Sequence, residues 1–162
     1  MRLYWVESPA GRLATAPAPR ADVLESQVAA VAAAGVGLVV SALPVDESAR
    51  LGLEEQQALL AEHGIRFARL EVPDFGVPPD VDAAAVLIDE LASELRQDRS
   101  VVVHCRGGIG RCSTLAAATL TRLGVEAEAA MDAISQARGM RVPETMGQRM
   151  WVHSQAVAGD RS

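Results

Sequence analysis

The chain has 162 residues, of which 49% are hydrophobic and 22% are charged, and its formal net charge is −6. This length and composition predict one domain with a sizeable core. The negative charge argues against a broad nucleic-acid-binding surface or an anionic membrane patch, and the aromatic fraction of 3% argues against a base-stacking platform. The chain shows neither a signal-peptide pattern nor an apolar stretch of membrane-spanning length, so we expect a cytoplasmic location without membrane or nucleic-acid partners.

The first half of the chain predicts strands that alternate with helices. Residues 1–20 contain short strand-like pieces interrupted by proline and glycine. Asp22 opens an alanine-rich helix that stops at Gly35. The elements predicted after this helix are a buried strand over 36–43, a helix over 53–63 and an alternating strand over 65–72.

The second half begins with a loop over 73–80, which three prolines and a glycine keep out of regular structure. Asp80 is positioned to cap a helix over 81–97, and the buried strand SVVVHC follows it. Helices account for the rest of the chain. The pattern Thr145-x-x-Gln148 fits a capping box at the start of the last helix.

Alternating strands and helices predict an α/β fold. We expect a single domain over residues 1–158, followed by a frayed tail over 159–162. Its core is a central, mostly parallel sheet of about 4–5 strands with helices on both faces. The sequence shows no internal repeat and no linker.

The stretch VVVHCRGGIGRCS, residues 101–113, joins a buried strand to a helix through a glycine-rich loop. Glycines permit tight turns, and a loop that ends at a helix N-terminus directs several backbone N–H groups into one concavity. Arg111 adds a planar fork of donors that can bind two phosphate oxygens. We therefore expect an anion-binding cradle whose phosphate-binding residues are Arg106, Gly107, Gly108, Ile109, Gly110 and Arg111.

Cys105 opens this loop and is the candidate nucleophile. A helix N-terminus and a nearby arginine lower the pKa of a thiol, so Cys105 is expected to be a thiolate at neutral pH. A thiolate below an oxyanion cradle can attack phosphorus in line, and water then hydrolyses the phosphocysteine. The alternative is a buried, inert structural cysteine beside a tight turn.

The pattern His104-Cys105-x5-Arg111, with Gly108 inside it, resembles the signature loop of the cysteine-dependent protein tyrosine phosphatase superfamily. The resemblance implies the phosphotyrosine phosphatase fold and a supporting role for His104, which tunes the thiolate. The small size of the chain and the late position of the loop resemble the compact dual-specificity branch.

The proton donor for the leaving group must come from another segment, because the loop contains no carboxylate. VPDFGVP, residues 72–78, is similar to the mobile acid loop of tyrosine phosphatases, with Val72 at the usual tryptophan position. The resemblance implies that Asp74 is the general acid. Asp74 could instead cap a turn, and Asp46 at the end of another strand is a rival acid.

The residue after Arg111 departs from the family pattern, which has a serine or threonine there. Here Cys112 takes that position and Ser113 follows. A thiol is a weaker donor than a hydroxyl, so either phosphoenzyme hydrolysis is slow or Ser113 substitutes. Cys112 could also trap oxidised Cys105 as a reversible disulfide, or it could be an ordinary core residue.

Three further residues have open roles. Glu144 occupies the position where tyrosine-specific members have the first glutamine of Gln-Thr-x-x-Gln, and Gln148 matches the second or serves only in the capping box. Arg106 could select highly anionic substrates or be merely solvated. His63 and His153 lack partners at metal-ligand spacing, so we predict no metal site and no cofactor.

These observations predict a phosphomonoester hydrolase that acts through a cysteinyl-phosphate on a phosphorylated protein or a small phosphomonoester. The catalytic residues are expected to be Cys105, Arg111 and Asp74. Two alternatives stay open: a phosphate-recognition module without turnover, and a thiolate enzyme of another class, namely a sulfurtransferase or arsenate reductase. The sequence gives neither the natural substrate nor the oligomeric state.

Overall fold

The computed structural model describes the backbone of residues 1–159 and the side chains of residues 1–155. Helices cover both faces of a central sheet, so the predicted α/β fold is confirmed. The strands are β1 (Tyr4–Val6), β2 (Arg12–Ala16), β3 (Val36–Ser41), β4 (Arg66–Arg69) and β5 (Ser100–His104). The helices are α1 (Leu24–Ala33), α2 (Val45–Arg50), α3 (Gln56–Glu62), α4 (Val81–Arg96), α5 (Arg111–Arg122), α6 (Ala127–Arg138) and α7 (Met146–Gly159).

The sheet has five strands within the described residues, in the order β1-β2-β5-β3-β4. Only β1 is antiparallel to its neighbour; β2, β5, β3 and β4 run parallel. The valine-rich β5 lies at the centre, and all five of its residues are buried. Strands buried on both faces are expected to be continuous apolar runs, as here. This order brings the carboxyl ends of β2, β5, β3 and β4 to one edge.

Two apolar layers hold the helices against the sheet. On one face, α1 and α3 pack against side chains such as Val39 and Val102. On the other face, α4, α5 and α6 pack against side chains such as Val40 and Val103, and α7 packs on α5. Neighbouring residues of each strand face opposite layers, as the pleat requires.

Two helix caps confirm the predictions from sequence. The Asp80 carboxylate accepts a hydrogen bond of 2.9 Å from the Ala83 N–H at the start of α4. At the start of α7, Gln148 N–H donates to Thr145 Oγ1 at 3.1 Å. Thr145 N–H donates to Gln148 Oε1 at 3.2 Å, which completes the reciprocal pair of a capping box.

Several boundaries differ from the predictions. The helix assigned to Asp22 begins with a 3-10 turn, and Asp22 pairs with Arg20 instead of capping it. The predicted strands over 36–43 and 65–72 end earlier, at Ser41 and Arg69, although the N–H groups of Leu70 and Val72 still donate to the chain beside them. The helix over 53–63 begins only at Gln56, and α2 was not predicted at all.

The C-terminal segment is only partly described. Helix α7 continues to Gly159, which was expected to begin the frayed tail, and residues 160–162 of that predicted tail lie outside the described residues. In the part of the chain that is described, no helix is both long enough and apolar enough to cross a membrane.

Candidate functional site

The glycine-rich loop leaves the carboxyl end of β5 at Cys105 and ends at Arg111, the first residue of α5. Gly108 has a φ of 67°, a backbone conformation that residues with a side chain rarely adopt. A Cβ atom at Gly108 would also lie 2.6 Å from the backbone nitrogen of Pro17. The loop passes this close to β2 only because Gly108 has no side chain.

The Cys105 thiol lies at the floor of the loop and is 2% exposed. Its Sγ atom is 3.4 Å from Sγ of Cys112. The Cys112 thiol makes the largest contribution to lowering the pKa of Cys105 to about 6, with further contributions from the N–H groups of Cys112 and Ile109 and the charge of Arg111. Burial opposes this shift. Cys105 is therefore largely a thiolate at neutral pH.

The two cysteines divide into a charged acceptor and a neutral donor. Burial, followed by the neighbouring Cys105, raises the pKa of Cys112 well above its ordinary value. Cys112 thus keeps its proton and donates a hydrogen bond to the Cys105 thiolate. Ser113 is also buried; within the described residues no contact joins its hydroxyl to Cys105, and it opposes the rise in the pKa of Cys112. The group in contact with Cys105 is therefore the thiol of Cys112 and not the hydroxyl of Ser113.

Arg111 is held by a carboxylate that the sequence analysis did not identify. Its Nη1 and Nη2 atoms donate to the two carboxylate oxygens of Glu47 at 2.7 and 3.0 Å. The hydrogen bond from Arg111 lowers the pKa of Glu47. Burial alone would lower the pKa of the Arg111 guanidinium, but Glu47 and Cys105 outweigh burial and raise it. Both groups stay ionised, and this pair fixes the plane of the guanidinium.

Glu47 lies on the short helix α2, next to the residue that we considered as a rival acid. Asp46 points away from the site and pairs with Arg50 at 2.7 Å on the surface. A signal was present in the sequence: a buried arginine needs a counter-charge, and two acidic residues follow β3 at the same sheet edge. Asp46 was considered only as a general acid, and neither residue was considered as this counter-charge.

Asp74 stands at the rim of the same pocket. Its side chain is 53% exposed, and Oδ1 is 3.4 Å from Nη2 of Arg111. The turn is closed by the Gly76 N–H, which donates to the Pro73 carbonyl at 2.9 Å, and Phe75 has a φ of 60°. The acid loop thus places a carboxylate over the guanidinium that is predicted to bind phosphate.

The start of α7 tethers this acid loop. The Gln148 amide donates to the Gly76 carbonyl at 3.1 Å, and the Thr145 hydroxyl donates to the Phe75 carbonyl at 3.4 Å. The two capping-box residues therefore hold the acid loop as well as the helix.

The pocket between these segments has a volume of about 260 Å³. It brings together the predicted nucleophile, arginine and acid, with Arg106 and Glu144 at its mouth. Its lining residues are Asp74, Phe75, Cys105, Arg106, Gly107, Ile109, Gly110, Arg111 and Glu144. A Cβ atom on Gly110 would collide with the side chains of Glu144 and Gln148, so this glycine lets α7 approach the loop.

His104 supports the loop from below rather than lining the pocket. Its side chain is completely buried, and its Nε2 atom lies 3.0 Å from Nε2 of Gln56. Burial is the main reason that its pKa falls to about 4, so the imidazole is neutral at pH 7. His63 is exposed, and His153 pairs with Glu128 at 2.7 Å.

A protein-family model described as "Polymorphic toxin system, DSP-PTPase phosphatase" matches residues 16–125, more than half of the chain. The chain belongs to this phosphatase family. The match includes Glu47, Asp74 and the loop from Cys105 to Arg111. The predicted resemblance to compact dual-specificity phosphatases is thereby confirmed.

Individual relatives agree with this assignment. Cyclin-dependent kinase inhibitor 3 of Rattus norvegicus is 31% identical over 97 residues, which are 59% of this chain and 45% of that protein. The mouse protein of the same name is 33% identical over the same share. The chain thus spans less than half the length of the curated relatives it matches.

Solved phosphatase structures share the fold. Kinase associated phosphatase, with its catalytic cysteine replaced by serine, superposes with a TM-score of 0.86 at 20% identity and covers 100% of this chain and 97% of its own. PTPMT1 superposes with a TM-score of 0.76 at 18% identity and covers 96% of each chain. The phosphotyrosine phosphatase-like fold predicted from the loop is therefore confirmed.

Proposed function

We propose that the protein is a cysteine-dependent phosphatase that hydrolyses phosphomonoesters through a cysteinyl-phosphate. One observation carries this proposal: Cys105, Arg111 and Asp74, which are distant in sequence, line one pocket in the order floor, wall and rim. A lowered thiol pKa and a fixed guanidinium are what in-line attack on phosphorus needs. Membership of the phosphatase family supports the same reaction.

Substrate binding begins with an exchange of partners at Arg111. The dianionic phosphoryl group enters the cradle and accepts hydrogen bonds from the loop N–H groups of residues 106–111. Glu47 keeps Arg111 in its plane, whereas Asp74, only 3.4 Å away, gives up its contact to the incoming oxygens. Displacement from Arg111 leaves the Asp74 carboxyl beside the ester oxygen at the rim.

In the first chemical step, the Cys105 thiolate forms a bond to phosphorus while the bond from phosphorus to the ester oxygen breaks. Asp74 gives its proton to that oxygen, so the alcohol or phenol leaves neutral. In the second step, Asp74 takes a proton from water as the water attacks phosphorus and the S–P bond breaks. The Cys112 thiol donates to the thiolate that departs, as a hydroxyl does elsewhere in the family.

The substrate class is a phosphorylated protein or a small phosphomonoester. The first chemical step needs only a terminal phosphate and an accessible ester oxygen, and the pocket opens to solvent beside Phe75. We place the reaction in the cytoplasm, because a reactive thiolate needs a reducing compartment.

The test is hydrolysis of para-nitrophenyl phosphate by the wild type and by Cys105→Ser, in reductant with EDTA, from acidic to neutral pH. We expect turnover that the substitution abolishes, and a mass increase corresponding to one phosphoryl group on Cys105 after rapid acid quench. Absence of turnover in the wild type would favour a phosphate-recognition module.

Asp74→Asn separates this proposal from sulfur transfer or arsenate reduction. General acid catalysis contributes about 10²–10⁴-fold. We expect a loss in this range with phenyl phosphate and a smaller one with para-nitrophenyl phosphate, whose leaving group needs less protonation. If Asp74→Asn hydrolysed both esters at the wild-type rate, the assigned role of Asp74 would be contradicted.

A further inference from the structure

Arg138, in the last turn of α6, reaches the outer side of the glycine-rich loop. Its Nε atom donates to the Gly108 carbonyl at 2.9 Å, and its Nη2 atom donates to the Gly107 carbonyl at 3.3 Å. Arg138 lies 27 positions after Arg111, on a different helix and outside every motif of the sequence.

These contacts complete a series of three carbonyls that face away from the pocket. The Arg106 carbonyl accepts from the Ala18 N–H at 3.1 Å, and the next two accept from Arg138. The first anchor is backbone, but the other two depend on one side chain. Arg138 is thus the side chain on which the outward orientation of two successive peptides depends.

The consequence follows from the geometry of the peptide bond. A trans peptide is planar, and its C=O and N–H groups point in opposite directions. When Arg138 holds the Gly107 and Gly108 carbonyls outside, the N–H groups of Gly108 and Ile109 must face inward. The Ile109 N–H is one of the groups that lower the pKa of Cys105. A cation on the carbonyl side also polarises that N–H toward the thiolate.

Arg138 is itself fixed from the other direction by the edge strand of the sheet. Its guanidinium carbon lies 4.3 Å from the centre of the Tyr4 ring on β1. A planar guanidinium stacks well on an aromatic face, and an ammonium group cannot reproduce both the stack and the two-pronged hydrogen bond. The chain thus forms a brace from β1 through Arg138 to the cradle.

We propose that Arg138 is a positioning residue that orients the loop N–H groups toward Cys105 and toward the phosphoryl oxygens. This inference rests on the proposed function, which gives the oriented N–H groups their role. Its two primary measurements, the pH dependence of Cys105 alkylation and the binding of vanadate, do not need turnover. Arg138 touches neither the nucleophile nor the substrate, and it acts only through the peptides of Gly107 and Gly108.

The experiment compares the wild type with Arg138→Met and Arg138→Lys. The matched control is Arg141→Met, because Arg141 is an exposed arginine just beyond the same helix. The rate of Cys105 alkylation by iodoacetamide is followed against pH with peptide mapping, and the dissociation constant of orthovanadate is measured by isothermal titration. Thermal unfolding verifies that each variant is folded.

We expect the alkylation midpoint of the wild type near pH 6 and a higher midpoint in Arg138→Met. Vanadate should bind Arg138→Met about tenfold more weakly, the effect of one or two misaligned hydrogen bonds to a charged group. Arg138→Lys should lie between the two, since an ammonium can donate to only part of this pair, and Arg141→Met should match the wild type.

Turnover then separates this inference from the proposed function. If the wild type is active, kcat of Arg138→Met should fall by roughly 10- to 100-fold, less than the cost of deleting an oxyanion donor outright. An inactive wild type with a shifted alkylation midpoint in Arg138→Met would defeat the proposed function but not the brace. The inference would be overturned if Arg138→Met folded and kept the wild-type alkylation midpoint and vanadate affinity. If Arg138→Met does not fold, an unchanged midpoint and affinity in both Tyr4→Leu and Arg138→Lys would overturn it.

Discussion

Cys112 replaces a hydroxyl with a thiol at the position that contacts the nucleophile. The Sγ atoms of Cys105 and Cys112 are 3.4 Å apart, and the raised pKa of Cys112 ensures that it is the donor. A thiol is a weaker donor than a hydroxyl, yet its contribution is the largest of those that lower the pKa of Cys105. The residue is therefore part of the thiolate's environment and not only core packing.

Replacement of Cys112 by alanine should raise the pKa of Cys105, because the thiolate loses the donor that contributes most to lowering that pKa. In the wild type, the alkylation rate should rise with pH and reach half its maximum near pH 6. In Cys112→Ala the midpoint should move to higher pH, whereas Cys112→Ser should restore it. Ser113→Ala is the control, and a midpoint that does not change in Cys112→Ala would show that Cys112 is only a packing residue.

The same proximity predicts that the pair reacts with hydroperoxides. The Cys105 thiolate attacks the peroxide oxygen, the O–O bond breaks with an alkoxide or hydroxide as leaving group, and Cys105 becomes a sulfenic acid. The Cys112 thiol then condenses with it, an S–S bond forms and water leaves. Both sulfurs are oxidised and the peroxide is reduced.

We expect intact mass spectrometry after mild peroxide treatment to show the loss of the two thiol hydrogens, together with inactivation that dithiothreitol reverses. Cys112→Ala should instead gain oxygen atoms and lose activity permanently, because no second thiol traps the sulfenic acid. Oxygen addition to the wild type without hydrogen loss would contradict the disulfide.

The short helix α2 carries Glu47, whose carboxylate orients Arg111 of the cradle. Removal of one partner from a buried ion pair leaves the other charge uncompensated, which costs about 3–5 kcal/mol. Arg111 and Glu47 fit this case, since their side chains are 3% and 11% exposed. We therefore expect Glu47→Gln to lower the free energy of unfolding by several kcal/mol and to impair phosphate binding, as measured by urea unfolding and vanadate titration.

The control is Asp46→Asn, which removes only a surface ion pair with Arg50 and should change stability by less than about 1 kcal/mol. The pH dependence has a defined sign. The pKa of Glu47 is lowered in the folded state. Its contribution to the free energy of unfolding is therefore complete above the pH range in which an ordinary glutamate titrates, and it is lost as the pH falls through the lowered pKa. The stability gap between wild type and Glu47→Gln should narrow in acid.

The elements that could be predicted are those whose signals are local. The valine run of β5, the glycines of the loop and the cap at Asp80 each determine their own conformation, so the sequence predicted the sheet and the cradle. Helix α2 has only six residues, with one proline before it and no strong apolar period. Its existence depends on tertiary packing rather than on propensity.

The contribution of Arg138 could not be predicted from the sequence, and that of Glu47 was indicated only by the two acidic residues that follow β3 at the same sheet edge. Neither belongs to a motif, and each contacts the loop only after the chain has folded: Glu47 from the short helix α2 and Arg138 from the end of α6. In the sequence, Glu47 and Arg138 look no different from the glutamates and arginines on the surface of any helix. The sequence identified the residues in the pocket, whereas it did not identify those that hold the loop from outside.

The site as a whole is assembled from segments that span most of the chain. The β5–α5 loop supplies the cradle, and the segments after β3 and β4 supply the counter-ion and the acid. The ends of α6 and α7 brace the loops. A ligand in this pocket contacts or secures all these segments at once, so it should stabilise the entire domain and not one loop.

Orthovanadate should therefore raise the unfolding temperature of the protein. A ligand present at about 100 times its dissociation constant adds about 2.7 kcal/mol to the free energy of unfolding. For a domain of this size that corresponds to a shift of roughly 5–11 °C. Differential scanning fluorimetry in reductant measures it without any assumption about turnover.

Arg111→Met should show no vanadate-dependent shift, whatever its own unfolding temperature, because the charged fork is gone. Arg20→Met is the matched control, since Arg20 is an exposed arginine that pairs with Asp22 at the surface, and it should keep the full shift. Equal shifts in the two variants would mean that vanadate binds elsewhere. An absent shift in the wild type would mean that the loop, despite its inward N–H groups, does not bind a phosphoryl-like anion, and it would contradict both the cradle and the reaction assigned to it.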